Sequence, residues 1–125
     1  MSGGTSALAA SILREIADRL SALANGGESA AIDLRSLPLT AADRGELERS
    51  LGRGEVAARL DVAGTSEIWE TGYGGVWWIR HFGAGEHLAA ERIEITPVPQ
   101  ILVTDPADIA ASAARAITSM SGPHE

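Results

Sequence analysis

The spacing of hydrophobic residues changes along the chain, and each change marks a new element. Leu8, Ile12, Ile16 and Leu20 recur every four residues, with Leu13 and Leu23 beside them. That stripe predicts an amphipathic helix from Thr5 or Ser6, either of which can cap it, to about Ala24. Arg14 with Asp18, and Glu15 with Arg19, set opposite charges four apart on its outer side. Two Arg against two acids favour a core-facing helix over one lying on a membrane. Asn25-Gly26-Gly27 suits a left-handed C-cap. Residues 30–37 read as a short extended segment and candidate edge strand, punctuated by Pro38. Thr40 and Asp43 form a capping arrangement for a second helix that carries Leu47 and Leu51 and ends at Gly52.

From Glu55 the period falls to two. Val56, Ala58, Leu60 and Val62 alternate with Glu55, Ala57, Arg59 and Asp61, which predicts a half-buried strand. A turn at 63–66 leads to a second strand, Glu67–Thr71. Gly72-Tyr73-Gly74-Gly75 is a hairpin signal, because glycine supplies the positive φ such turns need. Val76–Phe82 is the third strand, 83–86 a further turn, and Leu88–Ile95 the fourth strand. The loops are too short for crossovers, so the strands form an antiparallel meander. Thr96-Pro97-Val98-Pro99 ends the sheet. Gln100–Thr104 reads as a further strand or a buried connector. Asp105-Pro106 opens a last helix with a stripe of Ile109, Ala113, Ala116, Ile117 and Met120, stopped at Gly122-Pro123. The expected fold is α+β: a four-stranded antiparallel meander with helices near 5–24, 40–51 and 105–120.

Equal loops give a register in which Trp69 faces Trp78 and Glu67 faces Arg80. Four-residue loops at 63–66 and 83–86 then set Leu60 against Trp69 and Val76 against Ile93. One face collects Val56, Leu60, Val62, Trp69, Val76, Trp78, Phe82, Ile93 and Ile95 as the core. The reverse face carries Arg59, Asp61, Ile68, Glu70, Trp77, Ile79, His81, Arg92 and Glu94, with Arg59 pairing with Glu70 and Arg92 lying on Trp77. If this second face is open, Ile68, Glu70, Trp77, Ile79, His81 and Arg92 form a partner-binding surface, an apolar centre in a charged rim. If a helix covers it, they do not. On the open reading Trp77→Ala weakens association and leaves the fold intact, while Trp78→Ala empties the core.

Composition narrows the chemistry. The 125 residues suit one domain, 1–125, with a loose terminus at 1–4, a helical half at 5–52, a β-meander at 53–95 and the helix at 105–120. Net charge is −7, and all ten basic residues are Arg. An acidic balance disfavours a phosphate backbone, so the aromatic-rich sheet is not read as a nucleic-acid platform. With no Cys there is no disulfide, no thiolate metal ligand and no Cys nucleophile. MSGGTSALAAS lacks a basic region typical of a secretory signal, and the apolar runs fall short of the roughly 18 residues a membrane span needs. The expected location is cytoplasmic.

Candidate catalytic features are few. His81, His87 and His124 are not spaced as metal ligands. Glu67 and Glu70 point to opposite faces of a strand and cannot act as a carboxylate pair. The glycines at 72–75 sit between strands, with no helix N-terminus behind them to make a phosphate site. A small enzyme with an acid–base site around Glu70 and His81 is the alternative reading; no cofactor or metal is implied.

Leu51, Gly52, Gly54 and Glu55, then Glu70-Thr71, then Gly75-Val76-Trp77-Trp78, with Glu94, Ile95, Val98 and Pro99, form a distinctive set. Asp33-Leu34-Arg35-Ser36-Leu37-Pro38 adds to it upstream. Over roughly residues 30–110 the chain resembles the C-terminal domain of the hydrogenase expression/formation protein family (HupH-type). The resemblance implies an accessory, chaperone-like role in the expression, maturation and assembly of [NiFe] hydrogenase. It implies protein–protein binding and no enzymatic activity. The implied partners are a hydrogenase subunit, the small subunit foremost, or another maturation protein. Many relatives are about twice as long, which raises a second copy of this chain, a homodimer, as a substitute for the missing half.

Overall fold

The computed structural model describes residues 6–61 and 63–121. Residues 1–4, Thr5, Val62, the Gly122-Pro123 stop and His124 lie outside the described residues. The helices are α1 (Ala7–Ala24), α2 (Ala41–Leu51) and α3 (Pro106–Met120). The strands are β1 (Ala30–Asp33), β2 (Ala57–Asp61), β3 (Thr65–Glu70), β4 (Val76–Phe82) and β5 (Leu88–Ile95). The fold is α+β, and the sheet has five strands in the order β1-β5-β4-β3-β2, each adjacent pair antiparallel. The fifth strand is the extended segment after α1, which pairs along the outer edge of β5.

The helix ends follow their sequence signals. The Ser6 hydroxyl accepts from Ala9 N–H at 3.0 Å. Gly27 N–H reaches Ala22 C=O and Gly26 N–H reaches Leu23 C=O, the paired bonds of a Schellman C-cap. Thr40 and Asp43 form a reciprocal capping box, each side chain bonding the other's backbone N–H at 3.0 Å. The Asp105 carboxylate caps α3 at Ala107 N–H, and Pro106 takes the first helical position.

Helices α1 and α2 cover one face of the sheet. Ala9, Ile12 and Ile16 of α1 and Leu47 and Leu51 of α2 pack on Trp69, Val76, Trp78, Ile93 and Ile95, with Ile32 of β1 and Leu34 completing the core. Trp69 and Trp78 face each other across β3 and β4 and stack with centroids 5.7 Å apart.

Two hairpins differ from the equal-loop expectation. The β2–β3 turn holds only three residues, since Asp61 already pairs with Thr65. Ala63 and Gly64 take positive φ there, and a Cβ on Gly64 would lie 2.3 Å from the Phe82 carbonyl oxygen. A chain that turns this tightly starts β3 two residues early. Leu60 therefore meets Ser66, not Trp69, and an odd shift reverses the faces of β2. Leu60 packs on the second face, Val56 is exposed, and Arg59 faces Glu67 and pairs with Asp61 at 3.2 Å, not with Glu70. The β4–β5 connection is longer, with a bulge at His81/Phe82, and sets Val76 against Ile95 and Trp78 against Ile93. That two-residue shift keeps the faces. Phe82, beside the bulge, is only half-buried.

The second face is covered, by the chain rather than by a helix. Residues 97–103 cross it with a short 3-10 turn, Gln100–Leu102, and Leu102 packs with Leu60 on Ile68, Trp77 and Ile79. Trp77 donates its indole N–H to Thr96 C=O at 3.1 Å.

Candidate functional site

The two faces hold different polar arrangements. Under the helices, Glu91 enters the core from β5 with its carboxylate fully buried. Its phase along the strand is that of Ile93 and Ile95, so strand alternation points it inward. Arg44 of α2 and Arg80 of β4 each donate Nε–H to it at 2.7 Å, and Trp78 donates its indole N–H at 2.9 Å. Arg80 also pairs with Glu48 of α2. Burial alone would raise the Glu91 pKa; the bonds from Arg80, Trp78 and Arg44 outweigh it and hold the carboxyl below its ordinary range. The guanidinium groups of Arg53 and Arg80 lie 4.0 and 5.1 Å from the Trp69 ring centroid. The network ties α2 to the centre of the sheet.

The spacing of the chain pointed to none of these partners. The expected register, with Val76 against Ile93, is two residues out; in the structure Arg80 faces Glu91. The available signal was a charged residue at an inward position of β5.

The second face brings together all six residues expected to form a partner surface, Ile68, Glu70, Trp77, Ile79, His81 and Arg92. Their exposure differs from the open-face expectation. Ile68 and Ile79 are 1% exposed and Trp77 5%, because residues 97–103 seal the apolar centre. Glu70, His81 and Arg92 remain half-buried around it. Arg92 does not lie on Trp77 as a cation; its Nε–H is held by Glu94 at 2.6 Å. His81 Nδ1 and Ser66 Oγ share a hydrogen bond of 2.8 Å, beside a cleft of about 510 Å³ that Arg92 and Ile101 also line. The Glu70 carboxylate accepts from Gly75 N–H at 3.2 Å, which fastens the β3–β4 turn. Glu70 sits opposite Trp77, four residues along β4 from His81, or about 13 Å. The two cannot share one proton-transfer site.

The fold and these sites define a small α+β domain braced by a buried charge network, with one sheet face sealed by its own chain. Residues 7–121 match the family model for the HupH hydrogenase expression protein, C-terminal conserved region, and the chain belongs to that family. It is 32% identical over 85 residues to the hydrogenase expression/formation protein HoxQ of Azotobacter vinelandii, covering 68% of this chain and 30% of that protein. The hydrogenase-1 operon protein HyaF of Escherichia coli K12 is 36% identical over 84 residues, covering 67% of this chain and 30% of HyaF. The chain thus spans about a third of the length of the curated relatives it matches. The solved structure of the hydrogenase expression protein HupH from Thiobacillus denitrificans ATCC 25259 superposes with a TM-score of 0.87 at 40% identity. That superposition covers 94% of this chain and 98% of that one.

Proposed function

We propose that this protein is an accessory factor in hydrogenase expression and maturation that acts by binding another protein. The family match over residues 7–121 carries this reading. The partner is a subunit of [NiFe] hydrogenase, the small subunit foremost, or a fellow maturation protein, and the chain acts in the cytoplasm as a chaperone-like helper. Its contact surface is the outer side of the covered sheet face. Glu70, His81 and Arg92 supply the polar rim, and Ile68, Trp77 and Ile79 are the rigid floor beneath. The covering segment turns Val98, Ile101 and Val103 outward, each more than 40% exposed. Apolar groups within a charged rim suit a protein partner.

The separation of Glu70 from His81, and the engagement of Glu70 with a turn, weigh against the acid–base enzyme. The test is a pull-down from cells expressing a hydrogenase operon, with Arg92→Glu and Ile101→Glu as surface variants. A hydrogenase subunit or a maturation protein should co-purify with the parent chain and be depleted with the variants. Recovery of neither from the parent removes the reading; equal recovery by parent and variants removes the surface.

A further inference from the structure

Helix α3 carries an apolar stripe that belongs to neither core cluster of the described residues. Ile109, Ala113, Ala116, Ile117 and Met120 lie along one side, while Asp108, Ser112, Arg115 and Ser119 lie along the other. None of its fifteen residues is buried; Ile117 is 68% and Met120 79% exposed. A helix this short is marginal in water without a packing partner.

The same chain carries an apolar groove of about 520 Å³ between α1 and α2. Leu13, Ile16, Leu20 and Ala24 form its long wall, and Leu51 and Tyr73 line it as well. We infer that α3 of one copy fills this groove on a second copy, reciprocally, to make a two-fold dimer.

Two features select that occupant. The first is length. Leu13 to Ala24 on α1 and Ile109 to Met120 on α3 each span eleven residue steps, or about 16 Å. The small Ala17, Ser21 and Ala24 along the groove allow a helix to approach closely, and α3 meets them with Ala113 and Ala116. The second is area. One side of a helix this size covers on the order of 400 Å² on each partner, short of the ~800 Å² per partner in a stable interface; two reciprocal insertions reach it. The groove lies in the helical layer, whereas Leu102, four residues before α3, packs on the opposite face of the sheet, which favours a second copy over the chain's own helix. The dimer does not depend on the hydrogenase reading.

The experiment is light scattering and sedimentation on the full chain. The parent should show twice the 13.0 kDa chain mass at micromolar concentration. Ala17→Glu places a charge in the groove, and Ile117→Glu places one on the stripe. Both positions are exposed in the single chain, so each variant should fold, and each should weaken self-association on the order of a hundredfold. Ser21→Glu stands in if Ala17→Glu fails to fold. An equimolar mixture of the two variants retains one intact helix–groove pair and should dimerise more tightly than either variant alone. A monomeric parent, a dimer indifferent to both charges, or a mixture no tighter than its components overturns the inference.

Discussion

Trp78 donates its indole N–H to the Glu91 carboxylate at 2.9 Å, and both side chains are fully buried. The carboxylate is held on its other sides by Arg44 and Arg80. Removing its charge leaves two guanidinium groups facing a neutral amide. Glu91→Gln should therefore cost about 2–4 kcal/mol. The lower end reflects the partial exposure of both Arg side chains, which can turn to solvent. Urea denaturation measures the loss; a change below half a kcal/mol would mean the network is dispensable.

Two carboxyls make stability depend on pH in the same direction. Glu91 lies below its ordinary 4.5, since three donors outweigh its burial. Asp43 lies below its ordinary 3.8, through the Thr40 backbone N–H and the Ser6 hydroxyl. A folded pKa below the unfolded one means that the unfolded chain binds protons first as pH falls. The stabilisation is complete above the unfolded values and is lost as pH drops through the lower, folded ones. The urea midpoint should hold from pH 7 to about 5 and fall below about 4.5. In Glu91→Gln the acid-side fall should be shallower than in the parent. An equally steep fall would assign the acid sensitivity to other groups.

The strands and helices were legible because their apolar residues repeat with clear periods and their caps are chemical. Thr40-Asp43 and Asp105-Pro106 each name a helix start. The β3–β4 register was legible too, since 72–75 fits one turn closely and sets Trp69 on Trp78. The β2 register was not, because sequence does not show that Gly64 lets the chain pass against the Phe82 carbonyl. One such turn moved Leu60 to the other face. The covered second face was equally hidden. Residues 97–103 have no period, and their role rests on Leu102 reaching a cluster formed by three distant strands.

Both adjacent tryptophans should prove structural. Trp78→Ala should cost about 3–5 kcal/mol, as the cavity sits in the main core. Trp77→Ala should cost a similar amount, because Trp77 is sealed beneath residues 97–103. Trp77→Phe separates the contributions: it keeps most of the packing and leaves the Thr96 carbonyl without its donor, for a loss of about 1–2 kcal/mol. Thermal unfolding of the three variants decides. A native midpoint for Trp77→Ala would restore the open-face expectation.

Two glycines in two hairpins should respond oppositely to alanine. Gly64 has φ +108°, where an L side chain is strained, and its Cβ would stand 2.3 Å from a backbone oxygen that cannot swing aside. Gly64→Ala should cost about 2–4 kcal/mol. Relief by lengthening the loop by one residue would turn Leu60 away from Ile68 and Ile79, so the strain has no cheap escape. Gly74 has neither constraint: its φ lies outside the left-handed region and no atom stands within 4 Å of an added Cβ. Gly74→Ala should be neutral or stabilise by up to about 1 kcal/mol, through the lower entropy of the unfolded chain. Urea midpoints of the two variants, measured side by side, test the turn geometry. Equal tolerance at both positions would mean that β2 pairs with β3 through a looser turn, with Leu60 free to return to the Trp69 face.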